Sequence, residues 1–141
     1  MAPRGFEIIV GTVRDPSCGP LVLVGFGGIA AELYRDVTYR MAPVDAEGAT
    51  EMLNSLKSIA LLKGFRGQPV VDTEPLARLI AAVSRIAWEL SAVVDEFELN
   101  PIIVHADNSG LTIADALMRK RADADPVVTG ISAATARKVA A

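Results

Sequence analysis

Alternating apolar residues at the start of the chain predict short β-strands. Residues 6–13 alternate between two faces and are rich in β-branched side chains, a pattern typical of a strand. Residues 14–20 contain two prolines and a glycine and predict a turn. The uniformly apolar run 21–26 predicts a strand buried on both faces, and segments 31–34 and 37–40 predict two more strands. The chain therefore begins with a predicted meander that contains a glycine-rich bend.

The apolar period then changes to that of a helix. Asp45 is a suitable N-cap, and apolar residues recur at helical spacing from there to Lys57. Thr73 is predicted to cap a second helix, whose apolar face continues to Leu90. The segment 64–69 between the two helices has two glycines and a proline and predicts a loop.

A β-hairpin is predicted after the second helix. Apolar, β-rich runs at residues 98–104 and 111–115 flank a polar turn at residues 107–110. Strands, helices and strands in this order predict an α+β fold. We expect a mainly antiparallel sheet with two helices packed on one face.

Three oxygen-bearing side chains of this hairpin are candidate metal ligands. Glu98 and Asn100 lie two residues apart and would point to the same side of a strand. Pairing across the turn would return Asp115 to their neighbourhood. Carboxylate and amide oxygens suit a hard cation such as Mg²⁺. The spacing alone leaves open the alternative that all three are strand-end polar groups that face solvent.

Composition excludes several classes of protein. The 141 residues, 51% apolar and 22% charged, are typical of one globular domain. With a net charge of −3 and 5% aromatic residues, there is no basic stripe and little aromatic surface for stacking, so we expect no nucleic-acid partner. A single cysteine, Cys18, excludes an internal disulfide framework and a thiolate metal site. No signal-peptide core or membrane-length apolar run is present, which predicts a cytoplasmic domain without a membrane partner.

The composition changes beyond Met118. Residues 119–126 are charged and turn-like, and residues 133–141 could form a short helix. We therefore predict a folded domain at residues 1–118, followed by a charged linker and a short C-terminal helix at residues 119–141.

Short motifs follow one another along residues 1–118. They are GFEIIVG at 5–11, RDP at 14–16, GFGG at 25–28, RMAP at 40–43, LKGFRG at 62–67 and ELNP at 98–101. In this order and spacing they resemble the C-terminal lobe of the ATP-grasp domain of NDP-forming acyl-CoA synthetases, the ADP-forming acetate–CoA ligase type.

The resemblance implies a role for the predicted hairpin. Enzymes of this kind hold ATP between two lobes, and the resemblance implies that Asn100 and Asp115 bind Mg²⁺ with assistance from Glu98. The ion would bridge the β- and γ-phosphates and neutralise charge that develops during phosphoryl transfer. The phosphoryl group would pass to a histidine and then to a carboxylate, and the acyl phosphate would yield a CoA thioester, with ADP and phosphate as the other products.

The resemblance also implies nucleotide contacts. Gly27 and Gly28 belong to a glycine-rich loop whose N–H groups could approach a phosphate, although a tight turn between strands is the alternative. Glu7 could face the nucleotide or lie on the surface. Arg40 and Arg66 are candidate contacts to phosphate or acyl phosphate, with solvated charges as the alternative.

Two departures from the family pattern shape these expectations. The N-terminal lobe that grips ATP in the family has no counterpart in this sequence, so we expect the chain alone to bind ATP weakly and to lack ligase activity. The only histidine, His105, does not match the family's phosphorylated histidine, and no catalytic residue is assigned. The sheet edge left by the absent lobe predicts a homodimer.

Three functional hypotheses follow. The first is a fragment, truncated copy or separate subunit of an acyl-CoA synthetase, whose partners would be the ATP-binding and CoA-ligase domains of the parent enzyme. The alternative is a non-catalytic oligomerisation or regulatory module derived from an ATP-grasp enzyme. The third is a Mg²⁺- or phosphate-binding protein of another function.

Overall fold

Six β-strands and two α-helices make up the part of the chain that the computed structural model describes, residues 5–28 and 36–123. The strands are β1 (Gly5–Asp15), β2 (Gly19–Phe26), β3 (Val37–Met41), β4 (Val94–His105), β5 (Leu111–Ile113) and β6 (Ala116–Lys120). The helices are α1 (Ala46–Ser55) and α2 (Glu74–Glu89), and short 3-10 helices lie at Lys57–Leu61 and Phe65–Gly67.

All strand pairs are antiparallel and form one sheet. Its order is β3-β2-β1-β4-β5, and β6 pairs with the N-terminal half of β4 while β5 pairs with the C-terminal half. Both helices pack on the same face. The predicted α+β fold, a mainly antiparallel sheet with two helices on one face, is confirmed.

Apolar side chains at alternate strand positions pack against the two helices and form the core. Strand residues of one parity point to one face, and those of β1 and β2 on the helix side are almost all aliphatic. The core consists of Ile8, Val10, Val22, Val24, Phe26, Leu99, Ile102 and Val104 from the sheet, with Ala49, Met52, Leu53, Leu76, Ala77, Ile80 and Val83 from the helices. Burial of these side chains supplies the main driving force for folding.

The two faces of β2 differ in burial. Val22 and Val24 face the helices and are fully buried. Leu21 and Leu23 point to the other side and are only partly buried. The prediction that this strand is buried on both faces is therefore wrong, because both helices of the described residues lie on one side of the sheet.

The turn after β1 is shorter than predicted. The pairing of β1 with β2 continues to Asp15 and Gly19, so the turn is confined to residues 16–18. The Asp15 carboxylate accepts hydrogen bonds from two N–H groups of this turn, at 2.8 and 2.9 Å. The strand predicted at 31–34 lies outside the described residues, whereas the one predicted at 37–40 is confirmed as β3.

The two helix N-termini differ in how they are capped. The Asp45 carboxylate accepts a hydrogen bond from the N–H of Gly48 at 2.8 Å, so its predicted capping role in α1 is confirmed. The side chain of Thr73 makes no capping hydrogen bond, and that part of the prediction is wrong. Asp72 caps the N-terminus of α2 instead, because its carboxylate accepts a hydrogen bond from the N–H of Glu74 at 3.0 Å.

The sheet extends past the predicted end of the hairpin. Arg119 pairs with Glu96 and Lys120 pairs with Val94, so both belong to β6 and the prediction of a turn at these two residues is wrong. Residues 124–141 lie outside the described part of the chain. The division into residues 1–118 and 119–141 stays a prediction.

The sheet face opposite the helices is called the open face below. Its side chains include several large apolar groups with high exposure, such as Tyr39 at 56% and Met41 at 61%. Neither α1 nor α2 covers this face.

Among the described residues, no helix is both long and apolar enough to cross a membrane.

Candidate functional site

Strand pairing places one row of residues across the open face. Directly paired residues in antiparallel strands point to the same side. The row runs through Tyr39 on β3, Leu23 on β2, Gly11 on β1, Glu98 on β4 and Leu117 on β6. The part of this row on β3 and β2 is therefore apolar, and Glu98 introduces a carboxylate between Gly11 and Leu117.

An irregularity in β4 places Asn100 beside Glu98. The register between β1 and β4 shifts at this point, since Val10 pairs with Leu99 while Ile8 pairs with Ile102. The Asn100 side chain is exposed and donates a hydrogen bond from Nδ2 to Oε1 of Glu98 at 2.8 Å. The predicted proximity of these two side chains is present in the structure.

Asp115 joins this pair through the backbone. The N–H of Asn100 donates to the carbonyl of Asp115 at 3.2 Å, which brings the link between β5 and β6 against the irregularity in β4. The exposed Asp115 carboxylate accepts from the N–H of Ala116 at 2.8 Å. Strand pairing thus brings the chain at Glu98, Asn100 and Asp115 together, as the hairpin pattern predicts.

The donor set of these three residues fits a hard cation. Two carboxylates and an amide oxygen are ligands that Mg²⁺ accepts, and Mg²⁺ needs only one or two protein carboxylates when phosphates and waters complete its coordination. Within residues 5–28 and 36–123, no group of three His, Cys, Asp or Glu side chains is placed to hold a metal ion. The amide oxygen of Asn100 would therefore have to complete the set.

Glu7, Gly27 and Gly28 lie together at one end of the open face. The N–H of Gly27 donates to the carbonyl of Glu7 at 2.7 Å. The backbone of Gly28 has a positive φ of 64°, and a Cβ on this residue would lie 2.5 Å from Oε2 of Glu7. Glu7 pairs with Ile103 of β4, so its side chain shares the open face with Glu98.

Arg40 lies on the other side of the sheet. It pairs with Val22, whose side chain faces the helices. Its Nη2 forms an ion pair with Oε2 of Glu51 on α1 at 2.6 Å. Arg40 also lines an open groove of about 790 Å³ on the helix side, together with Arg85 and Trp88. The structure does not bring Arg40 to the face that carries Glu98.

Arg66 lies in the loop between the two α-helices. Its φ of 53° is left-handed, which is uncommon for a residue other than glycine. Its guanidinium lies 5.3 Å from the centre of the Phe65 ring, and both side chains are exposed. The loop meets the hairpin of β4 and β5, because Asn108 contacts Val70 and Asp72. The sequence pattern predicts only a turn at Asn108.

One buried carboxylate stabilises the backbone near this loop. Asp36 is 4% exposed and accepts hydrogen bonds from the N–H groups of Lys57 and Ser58 at 2.8 and 2.7 Å. Burial opposes its charge, but the two N–H groups outweigh burial and lower the pKa of Asp36. This residue orders the 3-10 helix after α1.

The open face also contains residues that sequence reasoning missed. The sequence pattern predicts strands at Tyr39 and Leu23 but no functional role, and only the register places them in one row with Glu98. The alternation of valine and leucine along β2 was the available signal, but it does not tell which face remains without a helix.

Comparison with protein-family models gives one match across most of the chain. Residues 1–119 match the model of the ATP-grasp domain. The matched segment contains every candidate site residue described above.

Similar proteins include a subunit of a CoA ligase and a CoA synthase. The chain is 42% identical over 109 residues to the β subunit of an ADP-forming acetate–CoA ligase I from Pyrococcus furiosus, covering 77% of this chain and 47% of that subunit. It is 41% identical to a trans-feruloyl-CoA synthase from an unknown prokaryotic organism, covering 84% of this chain and 16% of that protein. The chain thus spans about half the length of the first relative.

A solved structure shares the fold. It is a dinucleotide-forming acetyl-coenzyme A synthetase from Ca. Korarchaeum cryptofilum, in complex with coenzyme A and Mg-AMPPCP. The TM-score is 0.78 at 39% sequence identity, and the match covers 86% of this chain and 55% of that one.

Proposed function

From the premise that this chain belongs to the ATP-grasp domain family, we propose that it supplies the Mg·ATP face of an ADP-forming acid–CoA ligase. The chain corresponds to a portion of such ligases, about half of one β subunit. The reaction of the parent enzyme would be acid, CoA and ATP to acyl-CoA, ADP and phosphate.

One observation supports this function above the others. Glu98 and Asn100 share the open face with Glu7 and with a patch of exposed apolar side chains. A nucleotide has a flat apolar base at one end and metal-bound phosphates at the other. The apolar side chains on β3 and β2, with the carboxylates of Glu7 and Glu98 on β1 and β4, match that asymmetry.

Different residues of the chain would bind the metal ion and the phosphates. Glu98, Asn100 and Asp115 would hold Mg²⁺, which when bound neutralises charge on the phosphates. The N–H of Gly27 already donates to the carbonyl of Glu7, so Gly27 would shape the turn and the N–H of Gly28 would face a phosphate oxygen.

Two further side chains complete the proposed nucleotide face. Glu7 would accept hydrogen bonds from the nucleotide at the same end of the sheet. Arg66 would contact a phosphate, because a guanidinium pairs with phosphate oxygens through two parallel hydrogen bonds. Arg40 is left out of this set, since it lies on the opposite side of the sheet beside Glu51.

The complexes of the similar synthetase support the choice of ligand. The Ca. Korarchaeum cryptofilum protein was solved with coenzyme A and Mg-AMPPCP, an ATP analogue. The identity of 39% across 86% of this chain makes the same ligand class the best candidate here. The acid substrate would be selected outside this portion of the enzyme.

We further propose a cytoplasmic protein that works with other domains of its parent ligase and self-associates as a homodimer. β6 presents an exposed edge to solvent, with Leu117 at 54% and Met118 at 53% exposure. Such an edge favours pairing with another strand. This edge is also what favours the alternative function, a non-catalytic oligomerisation module.

A titration of the ¹⁵N-labelled chain with Mg·ADP, followed by NMR, tests the nucleotide function. We expect a dissociation constant on the order of 1 mM, because one wall of a cleft leaves much of the ligand hydrated. Shifts should concentrate at Glu7, Gly28, Glu98 and Asn100. Shifts confined to the groove around Arg85 and Trp88, or none at all, would overturn the proposal.

A further inference from the structure

We propose that Asn108 is a positioning residue that fixes the Arg66 loop for phosphate contact. The inference rests on the proposed function, since it takes the phosphates of a Mg-bound nucleotide as the ligand of Arg66. Asn108 itself touches no ligand in this scheme. It acts through the backbone of the loop that carries Arg66.

Asn108 links two separate parts of the chain. Its Oδ1 accepts a hydrogen bond from the N–H of Asp72 at 2.7 Å, and its Nδ2 donates to the carbonyl of Val70 at 3.1 Å. Both ends of one amide are thus committed to backbone groups 36 and 38 residues away. The side chain therefore holds the loop between the helices against the hairpin of β4 and β5.

The loop is closed at the point where Asn108 holds it. Lys63 and Val70 form an isolated β-bridge, and the N–H of Val71 donates to the carbonyl of Leu62 at 2.8 Å. Arg66 lies between these paired ends. Restraint of Val70 is thereby passed to the segment that presents the guanidinium.

The backbone and side chain of Arg66 are both restrained. Its left-handed φ of 53° costs free energy in a residue that is not glycine, and such outliers persist where the surrounding structure enforces them. The stacked Phe65 ring limits the directions available to its guanidinium. Among the described residues, Arg66 forms no ion pair, so its charge is available to an anion.

The anchor point lies at the correct end of the sheet. Asn108 follows β4 by three residues, and the last residue of β4, His105, pairs with Gly5 at the start of β1. Glu7 lies two positions further along β1, and its carboxylate lies beside the backbone of Gly28. The loop is therefore tied to the end of the sheet where Glu7 and the glycine turn meet.

The variant Asn108→Gly tests this inference, because glycine accepts the φ of 60° at this position while both hydrogen bonds are lost. Binding of Mg·ADP would be measured by NMR on the full chain, with the side-chain Nε–Hε signal of Arg66 as a local reporter. We expect N108G to weaken binding by about threefold to tenfold. Ser109→Ala is the matched control, since it removes a neighbouring hydrogen bond to Asp107 and leaves both contacts of Asn108.

A double-mutant cycle with Arg66→Ala separates positioning from a general structural effect. If Asn108 acts through Arg66, N108G should weaken binding in the parent chain and have no further effect in the R66A background. An unchanged dissociation constant in N108G, or the same weakening in both backgrounds, would overturn the inference and leave the proposed function intact. Should N108G fail to fold, Asn108→Asp keeps the acceptor for Asp72 and loses the donor to Val70, and the same cycle applies. Absence of Mg·ADP binding by the parent chain would overturn the proposed function and this inference together.

Discussion

The carboxylate of Glu7 occupies the space that a side chain on Gly28 would need. A Cβ at Gly28 would lie 2.5 Å from Oε2 of Glu7, and the backbone of Gly28 has a left-handed φ of 64°. The adjacent N–H of Gly27 donates to the Glu7 carbonyl at 2.7 Å. The glycine turn after β2 and the start of β1 are thus fitted to each other, and the direction of the Glu7 carboxylate depends on Gly28.

Gly28→Ala should therefore destabilise the chain in two ways. The left-handed backbone costs about 1–2 kcal/mol for a residue with a Cβ, and displacement of Glu7 adds to this. Gly19→Ala is the matched control, because Gly19 has a φ of 84° and no atom within 4 Å of an added Cβ. Urea unfolding should show a larger loss of unfolding free energy for G28A than for G19A. The excess should shrink when G28A is combined with Glu7→Ala, and equal losses for the two glycine variants would contradict the fit.

The metal assignment predicts a specific loss of cation affinity. Asn100→Ala and Asp115→Asn should each weaken Mn²⁺ binding, measured by electron paramagnetic resonance of the free ion, by at least about tenfold. Mn²⁺ serves as the probe because it accepts the same oxygen ligands as Mg²⁺.

Asp107→Asn controls for the change in net charge. Asp107 lies on the same hairpin, but its carboxylate is bound to the N–H and hydroxyl of Ser109. D107N should leave Mn²⁺ affinity unchanged. If it weakens binding as much as D115N, the ion is attracted by general negative charge rather than held by the proposed set.

The hairpin could be predicted because its signals are local. Alternation fixes that Glu98 and Asn100 share a face, and the polar turn fixes that the chain returns at Asp115. These relations depend on neighbours in sequence, and the structure retains them through the contacts of Asn100 with Glu98 and with Asp115.

The position of Arg40 could not be predicted in the same way. Alternation along β3 says that Arg40 and Tyr39 point to opposite sides, but which side carries helices depends on register with β2. The pairing of Arg40 with buried Val22 decides it. Arg119 and Lys120 illustrate a related limit, since all five residues of β6 are exposed and an edge strand without a buried face has no apolar alternation to detect.

Asp36 predicts a dependence of stability on pH. Its pKa is lowered in the folded chain because, against the effect of burial, the N–H groups of Ser58 and Lys57 stabilise the charged form. A lowered folded pKa means that this contribution is fully present above the unfolded value, about 3.9, and is lost as the pH falls through the folded pKa. Asp36→Asn should cost about 1–3 kcal/mol at pH 7, because the amide can accept only at one atom.

Denaturant unfolding at pH 7 and between pH 4 and 2 would measure this dependence. The free energy of unfolding should fall more steeply with acid in the parent chain than in D36N, so the two curves converge at low pH. Asp45→Asn is the control, since asparagine caps a helix as well as aspartate and the loss should be small. Parallel curves for the parent chain and D36N would show that Asp36 does not carry the effect.

We predict that the edge formed by β6 is the contact of the proposed homodimer. Strand β6 pairs only with β4 among the described residues, and its Leu117 and Met118 project toward opposite sides with more than half of each side chain exposed. Pairing of two copies along this edge would satisfy backbone groups and cover both apolar side chains, and a twofold axis would make the two contributions identical.

Met118→Lys should weaken the dimer by about tenfold or more in sedimentation equilibrium, because a charge on an edge strand opposes edge-to-edge pairing. Val70→Lys adds the same charge at a side chain that is 65% exposed and lies away from this edge, and it should leave the dimer unchanged. A monomeric parent chain at high concentration, or equal effects of the two lysines, would show that β6 is not the contact.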